Sequence, residues 1–310
     1  MKRTLGFKDY LTAAELTPAE VTSLFASTTA LKKEPGAFRS VLAGRSVVML
    51  FEKPSLRTRV TFEIGIARLG GHALFYDHSR ERIGERESVH DYAKNLERWC
   101  DAIVARTFSH EVVEGLARHA RVPVVNALSD DFHPCQALAD VFSLRERLGG
   151  LKGKRLVFVG DGNNVCASLM ILAATVGMDV VIVGPEGYGP DESVLRLARS
   201  KATISGGSVS LSHDPSAVRG AAAVYTDAWT SMGWESEAQE RRRVFGPYQV
   251  NADLMARASD SALFMHCLPA HRGEEVTDEV IDSPRSIVFD QAENRMHAQN
   301  ALLLGLMGSG

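Results

Sequence analysis

Short apolar runs alternate with amphipathic stretches along most of the chain, each strand-like run giving way to a helical period. In the first half the candidate strands are Ser46–Phe51, His72–Asp77, Ala102–Arg106 and Val122–Ala127. Helical patterns lie at Thr58–Leu69, Ser88–Trp99 and Glu111–Ala120, and His133–Leu148 reads as one long helix stopped by Gly149-Gly150. A second series starts at Arg155–Gly160 and continues with Asp179–Gly184, Ser208–Ser212, Ala222–Thr226, Ala262–Leu268 and Ser286–Asp290, before a last helix from about Ala292. Alternation of this kind predicts α/β architecture. The expected fold is two domains, each a mainly parallel sheet flanked by helices, with the C-terminal helix returning to the first domain. The boundaries expected are 1–148 with 292–310, and 149–291. Trp229–Gln249 is the longest stretch without a period, and loops of that length often bind ligands or close over them.

Composition narrows the classes. In a chain of 310 residues, a hydrophobic fraction of 45% is ample for a packed core and excludes a disordered chain. A net charge of −3 gives no global field toward nucleic acid or a membrane surface, so an anionic ligand needs a local basic cluster. No apolar run approaches the roughly 18 residues of a membrane span, and Met1–Tyr10 has no signal-peptide core. Cys100, Cys135, Cys166 and Cys267 form no CxxC pair, which argues against a zinc site or a disulfide framework and for a reducing, cytoplasmic setting.

Candidate chemistry sits at element ends. Phe51-Glu52-Lys53-Pro54-Ser55-Leu56-Arg57-Thr58-Arg59 follows a strand and opens a helix. Ser55 and Thr58 are good cap residues, and a helix start presents N–H groups and the positive end of a dipole. Arg57 and Arg59 make it an anion cradle suited to phosphate, although a capped helix with solvated arginines gives the same pattern. In His133-Pro134-Cys135-Gln136, Pro134 suits the first helical turn, and His133 and Gln136 stand about one turn apart. An imidazole there can donate to a carbonyl oxygen as negative charge develops, or be a satisfied structural histidine. Arg106 closes an apolar strand, where it meets an anionic ligand or a structural carboxylate.

The second half carries different groups. Gly160-Asp161-Gly162-Asn163-Asn164 has the start of a dinucleotide turn, with Glu186 near the spacing of a ribose contact, but lacks the third glycine. Asn164 can instead offer its amide to a ligand. Asp227, at a strand end, can meet a cation or cap a turn. Ser231-Met232-Gly233 follow it, and Gly233 gives the loop freedom to close. His266-Cys267-Leu268-Pro269 ends another strand, where a cysteine is a small buried hydrophobe or a reactive thiol. Glu293-Asn294-Arg295 opens the last helix. Phe51, Arg106, Gly160, Asp227 and Cys267 all fall at or near carboxyl ends of expected strands, the edge where such sheets bind ligands. An anionic substrate on the first half and an amine-bearing one on the second fit this division.

Ser55-Leu56-Arg57-Thr58-Arg59, His133-Pro134-Cys135-Gln136, the Asp227-x-Trp229-x-Ser231-Met232-Gly233 segment and His266-Cys267-Leu268-Pro269, in this order and spacing, resemble the ornithine carbamoyltransferases from about Asp9 to Leu306. The resemblance implies that Ser55, Leu56 (by its backbone), Arg57 and Thr58 hold a phosphate. It implies that Arg106, His133 and Gln136 hold the carbamoyl group of carbamoyl phosphate, with Arg295 and the backbone at Cys267 and Leu268 on its carbonyl side. Asn164, Asp227, Ser231 and Met232 are then expected to bind L-ornithine, with Asp227 and Cys267 near the reacting amine. The implied assembly is a homotrimer with shared active sites, and no metal or organic cofactor is implied. The implied reaction yields citrulline and phosphate, as in arginine biosynthesis or a urea-cycle-type step. The sequence departs from the family at Leu56, where threonine is more usual, at Ala167, where histidine is frequent, and at Arg82, where the neighbour's loop usually presents glutamine. Alternatives are a transcarbamylase for putrescine or an N-acylated ornithine, a nucleotide-dependent oxidoreductase, and a silent binding protein.

Overall fold

The computed structural model describes residues 4–230 and 235–308. The chain divides into two compact units, Met1–Ala139 with Glu293–Gly310, and Asp140–Ala292.

Unit 1 is built on a four-stranded sheet of order β2-β1-β3-β4, with β1 at Ser46–Phe51, β2 at His72–Asp77, β3 at Ala102–Arg106 and β4 at Val124–Leu128. All its pairings are parallel. Strands β1, β3 and β4 are near-continuous apolar runs because helices cover both faces of such a sheet, while β2 lies at the edge and is largely exposed. The helices are α1 (Pro18–Lys33), α2 (Leu56–Arg68), α3 (Val89–Leu96), α4 (His110–His119) and the start of α5 (Pro134–Leu148). Helix α1 has no counterpart among the expected elements. Its signal is local: Thr17 and Glu20 form a reciprocal capping box and Pro18 opens the first turn. One core cluster packs Val48, Leu50, Ile103 and Ala105 of the sheet against Leu96, Val113 and Leu116. Each such large side chain contributes about 1.5–3 kcal/mol when removed from water.

In unit 2 a five-stranded parallel sheet has the order β7-β6-β5-β8-β9. Its strands are β5 (Arg155–Val159), β6 (Asp179–Val183), β7 (Ser208–Ser212), β8 (Ala223–Thr226) and β9 (Leu263–His266). Helices α6 (Asn164–Thr175), α7 (Glu192–Ser205), α8 (Ala238–Phe245), α9 (Ala252–Met255) and α10 (Asp278–Ile281) accompany it, and α11 spans Val288–Met307. Val157, Val159, Val224, Phe264, Leu254, Val280 and Val288 share its core.

Three expectations need correction. The run Ser286–Asp290 is not a strand: Ser286 makes one isolated bridge with Phe264, and α11 begins at Val288. A short apolar run has no period of its own, and here Val288 faces the core while Phe289 is 71% exposed. The strand expected at Val122–Ala127 runs from Val124 to Leu128. Within Trp229–Gln249 the chain forms α8, whose Arg-rich sequence hides its helical period.

Candidate active site

Both sheets reverse their winding beside the residues singled out above. In unit 1 the chain leaves β1 toward β2 on one side and returns to β3 on the other, so the β1–β3 strand ends form a switch point. Phe51 and Arg106 are paired there. The pairing of β3 with β4 slips between Ala105 and Arg106, a bulge of the kind that re-aims a side chain.

Beyond Phe51, Ser55 caps α2, its Oγ accepting from the Thr58 amide at 3.2 Å. Leu56 is 74% exposed. Thr58 is buried and its Oγ1 accepts from Arg295 Nη2 at 3.1 Å. Arg295, also buried, donates through Nη1 to Gln136 Oε1. Gln299, with its amide oxygen turned toward the guanidinium, accepts from Arg295 Nε at 3.3 Å and Nη2 at 3.0 Å. Arg295, on α11, is therefore locked to the α2 and α5 helix starts.

His133 stands just before α5, and its carbonyl accepts from the Gln136 amide at 3.1 Å. Burial, reinforced by the charges of Arg295, Arg106 and Arg57, holds its imidazole well below the usual histidine range. At neutral pH it is an uncharged ring among guanidinium groups. Arg106 is buried as well. The positive charges of Arg57, Arg106 and Arg295 all act on this one ring, and guanidinium groups gathered in this way suit an anion.

Glu52 and Phe108 complete this edge and escaped the sequence reading. The buried Glu52 carboxylate accepts from the Ile83 and Phe108 amides, both at 2.8 Å. Phe108 has the Lys53 ammonium at 4.4 Å and the Arg82 guanidinium at 4.1 Å from its ring centre. Arg82 is exposed, at the tip of the segment that Glu52 pins through Ile83.

Unit 2 has its switch point between β5 and β8. Val159 pairs with Thr226, and Thr226 with His266, so Gly160, Asp227 and Cys267 each follow an aligned strand end. The Asp227 carboxylate accepts from Asn163 Nδ2 at 2.9 Å, from the Ala228 amide at 2.8 Å and from the Cys267 thiol at 2.9 Å. The Oδ1 of Asn163 also caps α6 by accepting from the Val165 and Cys166 amides. Asn164 is the first residue of α6 and half-buried. Leu268 lies in the left-handed region at φ 58°, a conformation costing a non-glycine residue about 1–2 kcal/mol. Arg241 Nη1 donates to Asp161 at 2.7 Å and to the Trp229 carbonyl at 3.0 Å, tying the segment after β8 to the Gly160 turn. Burial raises the Asp161 carboxyl above its ordinary range although Arg241 acts the other way. Ser231 and Met232, expected to touch the amino acid, lie outside the described residues, as does Gly233.

The glycine turn is closed to a dinucleotide. A Cβ on Gly162 would stand 2.1 Å from the Pro190 nitrogen, so the chain's own backbone occupies the approach that such a ligand needs. The α6 amides that would cradle a pyrophosphate are taken by Asn163.

Two family models match the chain. Residues 8–146 match the family model described as Aspartate/ornithine carbamoyltransferase, carbamoyl-P binding domain, and residues 152–306 match its Asp/Orn binding domain. The ornithine carbamoyltransferase of Pyrococcus horikoshii is 51% identical over 308 residues, covering 98% of this chain and 97% of that protein. The anabolic ornithine carbamoyltransferase of Pyrococcus furiosus is 50% identical, covering 98% of each. A solved structure of the Pyrococcus furiosus enzyme superimposes with a TM-score of 0.95, covering 99% of both chains.

Proposed function

Since the chain belongs to the aspartate/ornithine carbamoyltransferase family, we propose that it transfers the carbamoyl group of carbamoyl phosphate to the side-chain amine of L-ornithine, giving L-citrulline and phosphate. The observation that carries the reading is the segregation of charge. Arg57, Arg106 and Arg295 converge on a neutral His133 in one unit, and Asp227, with the Cys267 thiol on it, ends the sheet of the other. The first set suits a phosphorylated donor, the second a cationic amino acid.

In this reading residues 1–148 with 292–310 handle carbamoyl phosphate, and 149–291 handle ornithine. Ser55, the Leu56 backbone, Arg57 and Thr58 hold the phosphate, while Arg106, His133, Gln136 and Arg295 hold the carbamoyl group with the Cys267 and Leu268 backbone. The uncharged amine attacks the carbamoyl carbon, and the tetrahedral oxyanion is stabilised by the guanidinium groups and a His133 N–H. Because His133 is neutral, it gives a hydrogen bond without delivering a proton. Phosphate leaves and can carry away the amine proton. Asn164, Asp227, Ser231 and Met232 take the amino acid. The chemistry calls on no metal or organic cofactor.

We place the enzyme in the cytoplasm, in arginine biosynthesis, as a homotrimer in which Arg82 of one subunit completes its neighbour's site. The anabolic label of a 50% identical relative and the exposure of Arg82 support this placement. Among the described residues no helix is long and apolar enough to cross a membrane. A colorimetric citrulline assay with carbamoyl phosphate and ornithine, run in the presence of a chelator, tests the activity. Citrulline formation supports the reading, and its absence, or loss on chelation, contradicts it.

A further inference from the structure

We propose that His266 and Glu275, which touch neither substrate in the reading above, act together as positioning residues that fix the backbone of Leu268. The inference rests on the carbamoyl-transfer reading for its kinetic consequence but not for its structural one.

Both side chains are fully buried. The Leu268 amide donates to His266 Nδ1 at 2.8 Å, so Nδ1 carries a lone pair and the ring proton sits on Nε2. Nε2 faces Glu275 Oε1 at 3.1 Å. That oxygen also accepts from the His271 amide at 2.6 Å, which fixes it from the far side of the turn. Glu275 thus selects the histidine tautomer, and the tautomer determines that Nδ1 accepts rather than donates.

The bond from Leu268 back to the side chain two residues earlier has the form of an Asx turn with imidazole in place of an amide. It acts where the backbone most needs it. Among the described residues Leu268 is the one non-glycine residue with positive φ. Release of its amide lets the chain relax toward extended geometry and turns the Cys267–Leu268 peptide. The adjoining Cys267 thiol, 2.9 Å from Asp227, then loses its place. The remaining side of His266 is already fixed, since its own amide donates to Gln291 Oε1 at 3.1 Å and its strand pairs with Thr226.

The two ring nitrogens can be tested separately. In His266→Asn the side-chain oxygen falls near the position of Nδ1 and keeps the Leu268 bond. In His266→Gln the amide reaches toward Glu275 but leaves the Leu268 amide without its acceptor. Glu275→Gln keeps an oxygen for both donors, and Glu275→Leu keeps only the shape. Leu268 amide hydrogen exchange is expected to stay slow in the parent, His266→Asn and Glu275→Gln, and to accelerate in His266→Gln and Glu275→Leu. The same two variants should lose about 100-fold in kcat, the cost of a small misplacement of reacting groups. His266→Asn should stay within about tenfold, the scale of one ordinary hydrogen bond, and affinity for inorganic phosphate should follow the parent in all four. Nitrogen-15 shifts of His266 in the unsubstituted protein should show the Nε2–H form. Equal exchange and equal kcat in His266→Asn and His266→Gln, or a protonated Nδ1, overturns the proposal. If His266→Gln fails to fold, fast Leu268 exchange in His266→Asn overturns it alone. A parent that makes no citrulline refutes the transfer reading, while the exchange comparison still decides the His266–Leu268 link.

Discussion

The Cys267 thiol donates to the Asp227 carboxylate at 2.9 Å, across two strand ends that the Thr226–His266 pairing holds in register. With Asn163 on its other oxygen, Asp227 is a fixed acceptor rather than a surface acid. Asp227→Ala should therefore weaken ornithine chiefly, and Arg57→Ala should weaken carbamoyl phosphate chiefly. Each loss should be about 1.5–3 kcal/mol, the scale of a charged hydrogen bond. Calorimetry with each substrate checks this, and equal effects on both would show that the division of labour is wrong.

Much of this arrangement was legible because strand ends and helix starts have local signatures. Ser55 reads as a cap from its own sequence, and the cap is present. The partners that arrive from distant segments were not legible. Gln136 and Thr58 meet Arg295 across sequence separations of 159 and 237 residues, and no period or spacing encodes such a meeting. Glu52 was invisible for a related reason: an acid beside a basic motif looks solvated until two distant amides are found on it. Asn163 and Asn164 are indistinguishable in sequence, and only the α6 cap geometry separates them.

Acid sensitivity follows from His133. In the unfolded chain its imidazole titrates near about 6.5, whereas burial and three arginines lower the folded value well below that. Between the two values the unfolded state binds more protons. His133 therefore costs stability as pH falls through about 6.5, and costs none above it. His133→Gln should lose less of its thermal midpoint than the parent on going from about pH 7 to about pH 5. Parallel losses in the two proteins would contradict the buried, neutral ring.

Glu52 makes a structural prediction. Glu52→Ala leaves the Ile83 and Phe108 amides without their acceptor, at ~1–3 kcal/mol for each. Denaturant unfolding should register that loss, and limited proteolysis should cut sooner near Arg82. Glu52→Gln, which keeps one acceptor oxygen, should fall between the two. A Glu52→Ala protein as stable and as protease-resistant as the parent would remove Glu52 from the account.

The central claim is that this chain selects the free amino acid as acceptor. Carbon-13-labelled carbamoyl phosphate, offered to the enzyme with equal concentrations of ornithine, N-acetylornithine, putrescine and aspartate, tests it in one reaction followed by NMR. The account predicts that nearly all the label appears in the ureido carbon of citrulline. Label appearing mainly in N-acetylcitrulline, carbamoylputrescine or carbamoylaspartate would contradict it.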